Sequence, residues 1–230
     1  YCSTCEEVFS EQLDMSFANA KITQKDTILQ SKHLELHIPK NVYVTGDLIE
    51  QLDIVTSVME KVSGMKFSGN PHYANERIKV DVVKPEGSEY GPANASRQEF
   101  TISSGDLVDL YALIHECSHS LQFNQSHWWY CQWAIEGIST YTTYKTQKYI
   151  EEHYPALVER VDDITHSLFN YQITNYEKLY DHPMEYWIDN TFEYSLNANY
   201  SIGFHFMWFL DSTYGDYTKW IYAFEEANPS

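Results

Sequence analysis

The stretch LIHECSHSLQF, residues 113–123, contains His115-Glu116-Cys117-Ser118-His119, the pattern H-E-x-x-H. Around it Leu107, Leu110, Tyr111, Ile114, Cys117 and Leu121 recur at helical spacing, with Asp106 as N-cap and Ser103-Ser104-Gly105 as the entry turn. The spacing therefore predicts an amphipathic helix. At about 3.6 residues per turn, His115 and His119 leave the helix on one face, one turn apart. Two imidazoles so placed can bind one metal ion. Glu116 lies about 100° round the helix, close to the ion without lying on it, where a carboxylate can take a proton from water. Cys117 points to a different face and reads as core.

Two histidines make half a site, because a catalytic zinc takes three protein ligands and keeps one position for water. The continuation H-E-x-x-H-x-x-G-x-x-H fails: Gln122 stands where it needs glycine and Gln125 where it needs histidine, and His127 is off register. Glu136 follows His119 by 17 residues, inside WAIEGISTY at 133–141. Trp128–Glu152 has helix-forming composition and no proline, and Asn124, Gln125 and Ser126 suit a turn over about 120–128. A helix–turn–helix returns Glu136 opposite the histidine pair, and Gly137 lets the second backbone pack close beside the metal. The expected ligand set for one Zn2+ is His115, His119 and Glu136. Thr140, one turn after Glu136, and Asp109 can each hydrogen-bond a ligand imidazole from outside. His166, His182 and His205 are further histidines open to a site role.

The rest of the chain bounds this reading. Its 230 residues suit one domain with a sizeable core. The net charge of −18 argues against a nucleic-acid partner, whose phosphates need a basic surface, and favours neutral or cationic ligands. No apolar run reaches the roughly 18–20 residues of a membrane span. Cys2 and Cys5 form a C-x-x-C without a second such pair, a weak metal or redox signal; Cys131 can bridge to Cys117 if their helices meet. Three N-x-S sequons, at Asn94, Asn124 and Asn199, point toward an extracellular or cell-surface setting.

Before the motif the pattern is strand-like. His33–His37 alternates, Asn41–Thr45 follows, and Asp47 caps a helix that runs through Leu48, Leu52, Val55, Val58, Met59 and Val62 to Gly64. Arg77–Val83 reads as a strand, 84–98 as a loop and Glu99–Ser103 as a short strand, placed either at the edge of the sheet above the cleft or inside the sheet. Residues 1–30 carry no clear period. The expected fold class is α+β: a strand-containing lobe over 1–105 with a small mixed sheet, and a helical lobe over 106–230, with the site in a cleft between them.

HECSH followed by WAIEGISTY resembles the gluzincin metallopeptidases, in which H-E-x-x-H supplies two zinc ligands and the base and a later E-G helix supplies the third ligand. The segment NYSIGFHFMWFLDSTYGDYTKWI (199–221) is similar to the Y-x-x-G…F-L…Y-G helix of zinc aminopeptidases. It also resembles the Y-S…F-L…Y-G segment of plant-type basic secretory proteins, a peptidase-like family that is basic where this chain is acidic. The likeness covers about residues 100–224. It implies a zincin-like fold and peptide-bond hydrolysis by a zinc-bound water, with Glu116 as general base. Tyr200 matches the tyrosine that stabilises the oxyanion; Tyr141, Tyr144 and His205 compete for that role. An extended peptide or protein substrate would pair with the edge strand, here Glu99–Ser103. No G-x-M-E-N motif precedes HECSH, and EYGPAN (89–94) echoes it only loosely, which favours an endopeptidase. The alternative is a non-catalytic peptide- or glycoprotein-binding module on the same scaffold.

Overall fold

The computed structural model describes residues 20–67, 77–84, 94–95, 99–103, 107–125, 132–161 and 196–215. Apolar alternation builds its sheet, because side chains on a strand point to opposite faces in turn. On β3 (Leu34–Ile38), Leu34, Leu36 and Ile38 are buried; on β5 (Ile78–Val83), Ile78, Val80 and Val82 are; on β7 (Glu99–Ser103), Phe100 and Ile102 are. The other face is polar and cross-linked by charge. Glu35 pairs with His37 at 2.8 Å, and Lys79 with Asp81 at 2.6 Å and Glu99 at 3.9 Å.

Strand order is β2-β3-β5-β7-β6, with β2 at Thr27–Gln30 and β6 at Asn94–Ala95. The three central strands run parallel, and each edge strand pairs antiparallel with its neighbour. A parallel pair needs a long crossover. Between β3 and β5 that crossover carries α1 (Leu48–Ser63), which ends at Gly64 in the left-handed region with φ 70°. Asp47 precedes α1 but makes no side-chain bond to its backbone; its carboxylate accepts from Gln51 Nε2 at 3.0 Å instead. A two-stranded ribbon, β1 (Lys21–Ile22) with β4 (Tyr43–Val44), completes the strands among the described residues.

The sheet corrects one expectation. Glu99–Ser103 is not an edge: β7 lies between β5 and β6. The edge is β6, a two-residue strand inside the segment read as loop. Strands also form within residues 20–30, where no period was legible.

After the sheet come helices: α2 (Leu110–Gln125), α3 (Gln132–His153), a 3-10 turn at Pro155–Leu157 running into α4 (Val158–Val161), and α5 (Leu196–Tyr214). α2 starts later than expected. Leu107 bridges to Tyr43, and the cap is Asp109, whose Oδ1 accepts from the Ala112 amide at 3.1 Å. Asp106 lies outside the described residues. At its other end α2 continues to Gln125, through the first two thirds of the expected turn.

α3 is the central helix, packed by α1, α2 and α5. Ser139, Thr140, Thr142, Thr143, Thr146 and Gln147 on it are all buried. A buried hydroxyl needs a partner, and Thr143 and Thr146 donate to carbonyls one turn back, both at 2.8 Å. One apolar cluster runs from Leu34 on the sheet through Leu113 and Ile114 to Met207 and Leu210 on α5. Sheet and helices thus share a core and form an α+β fold. No helix among the described residues is long and apolar enough to cross a membrane.

Candidate metal centre

α2 and α3 bring His115, His119 and Glu136 together out of solvent, each 6–7 % exposed. The two imidazoles sit edge to face, ring centres 4.8 Å apart at 87°. Both turn Nε2 toward Glu136 Oε2, at 3.2 Å from His115 and 3.3 Å from His119. The ligating atoms of the three residues all lie within 4.8 Å of one another. Two neighbouring contacts hold the helices in this register. Ser139 Oγ donates to the His115 carbonyl at 2.8 Å, and Gln122 Nε2 to the Ile135 carbonyl at 3.3 Å.

This donor set fits a small divalent cation. Ligands on a tetrahedron at about 2.0–2.1 Å from zinc stand about 3.3–3.4 Å apart. The carboxylate oxygen and each imidazole nitrogen already stand close to that separation. Two nitrogens with one carboxylate is also a donor set that zinc accepts.

The local electrostatics set the two carboxylates apart. Burial alone would raise Glu136, but the bonds from His115 and His119, with their charge, outweigh it and hold the group well below the usual carboxylate range. Glu116 has no such partners. Burial pushes it up to about 7, and the Glu136 charge adds to this while His115 opposes it. Its proton affinity therefore sits in the range a general base uses near neutral pH.

That shift carries a stability consequence. A carboxyl raised from 4.5 to about 7 binds its proton more tightly folded than unfolded, so stability is lost as pH rises through that window. The full loss is about 3 kcal/mol. Chelator-treated wild type should lose stability between pH 4.5 and 7 in urea titrations, and chelator-treated Glu116→Gln should lose less. Equal pH slopes in the two proteins would contradict the shift.

Tyr200, near the start of α5, joins the group. Its ring lies 5.5 Å from that of His115, and its hydroxyl hydrogen-bonds Glu136. Burial, then the charges of Glu136 and Glu116, push the phenol upward, so it stays protonated. The competing tyrosines face elsewhere: Tyr141 donates to Asp211 at 2.7 Å, and the Tyr141 and Tyr144 rings both pack on Phe204. His205 packs against Phe204 and Trp208. His166 and His182 lie outside the described residues.

Three smaller expectations change. Asp109 caps α2. Thr140 is buried, but its hydroxyl bonds to no imidazole and has no hydrogen-bond partner. Gly137 makes its close approach against Gly203 of α5, since a Cβ built on it would fall 2.3 Å from the Gly203 backbone. Cys117 is a fully buried free thiol, and the bridge to Cys131 falls on a residue outside the described ones. Cys2, Cys5 and Cys131 themselves lie outside the described residues. Sequence reasoning missed Ser139, Gln122 and Asp211. Gly203 stood in view, three residues after Tyr200, but nothing in the pattern named its partner.

Comparison of the chain with protein-family models, curated proteins and solved structures finds no match.

Proposed function

We propose that this protein is a zinc-dependent metallopeptidase of gluzincin type on a zincin-like fold, acting as an endopeptidase. The observation that carries the reading is the convergence of His115 and His119 on one oxygen of Glu136, with the unpaired-by-histidine carboxylate Glu116 beside them. Held by His115, His119 and Glu136, zinc would supply a Lewis acid for the carbonyl and for water. Glu116 takes the proton of the attacking water and hands it to the leaving amine. The Tyr200 phenol, kept neutral, donates to the developing oxyanion. β6, at the end of the strand order and in contact with α2, is the edge on which an extended substrate can add as a further strand. A peptide or protein is therefore the substrate class.

The test is hydrolysis of an unfolded protein whose ends are chemically blocked. The reading predicts internal cleavage that a chelator stops and added zinc restores. Absence of cleavage by zinc-loaded protein, across several unfolded substrates, would contradict it.

A further inference from the structure

The ligands come from α2 and α3, whereas Tyr200 arrives on a different helix, α5. What holds α5 in place therefore decides whether the phenol reaches the site. α3 and α5 touch at backbone level. A Cβ on Gly137 would lie 2.3 Å from the Gly203 Cα and carbonyl carbon and 2.6 Å from its oxygen. Gly137 directly follows Glu136, and Gly203 is one turn beyond Tyr200. The point of closest approach thus sits level with the contact between phenol and carboxylate.

A second attachment lies further along the same seam. Asp211 Oδ2 accepts from Tyr141 and from Lys145, each at 2.7 Å. Lys145 is eight residues beyond Gly137, and Asp211 eight beyond Gly203. The two helices therefore run in the same direction and in step over about 12 Å. Between the attachments the Phe204 ring packs on Tyr141 and Tyr144 of α3, and Phe204, Met207 and Leu210 are all at most 5 % exposed. Backbone contact fixes how close α5 lies, and the Asp211 clamp fixes its rotation and height.

We propose that this seam, Gly137 on Gly203 with Asp211 held by Tyr141 and Lys145, is the positioning device that sets Tyr200 against the metal ligands. The inference rests on the metallopeptidase reading. An alanine at 137 needs the helices to part by about an ångström before its Cβ reaches ordinary contact, and misplacement of about 1 Å can cost about 10²-fold in rate. The three metal ligands need not move, so metal binding and turnover separate.

The test uses full-length protein carrying 13Cζ-tyrosine, loaded with cobalt and compared with the zinc form. The resonance missing in Tyr200→Phe identifies Tyr200. In wild type, cobalt should shift it strongly, because the phenol bonds a ligand. In Gly137→Ala and in Asp211→Ala the shift should shrink with cobalt still bound at one per chain, and kcat should fall about 10²-fold with KM little changed. Asp211→Ala lies away from the ligands and decides the matter if Gly137→Ala does not fold. A Tyr200 shift unchanged in the variants, with metal bound, overturns the seam alone. A wild type that takes up no cobalt overturns the metallopeptidase reading and this inference with it.

Discussion

Glu116→Gln should lose about 10²–10⁴-fold in kcat while binding as much zinc as wild type. Glutamine keeps the length and the polar tip of the side chain but has no basic oxygen to take a proton. The charges of Glu116 and Glu136 repel, and burial disfavours the Glu116 charge. Replacing it removes the base without undoing the ligands. Parallel initial-rate and metal-content measurements check this. Full activity in Glu116→Gln would mean that water is activated without this carboxylate, and the mechanism would have to be redrawn.

Zinc should also act as a stabiliser, and Glu136 should be the residue that makes it one. A ligand bound only by the folded state adds about 4 kcal/mol when present at about 1,000 times its dissociation constant. For a domain of this size that is roughly 8–16 °C in Tm. Glu136→Ala removes one of three ligands and the residue on which both imidazoles converge. Its melting temperature should respond to zinc by only a small fraction of the wild-type shift. The wild-type response should itself shrink in acid, where protons compete for the imidazole nitrogens. Calorimetry of both proteins with and without zinc gives the answer. Equal zinc shifts would place the ion away from Glu136.

The site was more legible in the sequence than the framework around it. Helix geometry alone puts His115 and His119 on one face, and a proline-free second helix 17 residues on leaves few other places for Glu136 to go. What local pattern could not carry was long-range pairing. The two residues Asn94–Ala95 are too short to show a period, yet they take the edge and move Glu99–Ser103 inside the sheet. Asp106 and Asp109 flank Leu107 and Val108 at the start of the apolar run, and the bond from the Ala112 amide marks Asp109 as a cap. α3 looks polar, with Ser139, Thr140, Thr142, Thr143 and Thr146 in a row of turns. It is buried all the same, because hydroxyls such as Thr143 and Thr146 fold back onto its own carbonyls. The partner of Gly137 lies on a helix that begins some 60 residues later, beyond the reach of any local signal.

The measurement that bears most directly on the whole account is zinc per chain by elemental analysis, after dialysis against trace zinc, for wild type, His115→Ala and Glu136→Ala. The account predicts close to one zinc in wild type and a loss in both variants. A wild type that holds no zinc even after it is supplied would reduce His115, His119 and Glu136 to a buried ion-pair cluster, and the peptidase reading would fall with the metal.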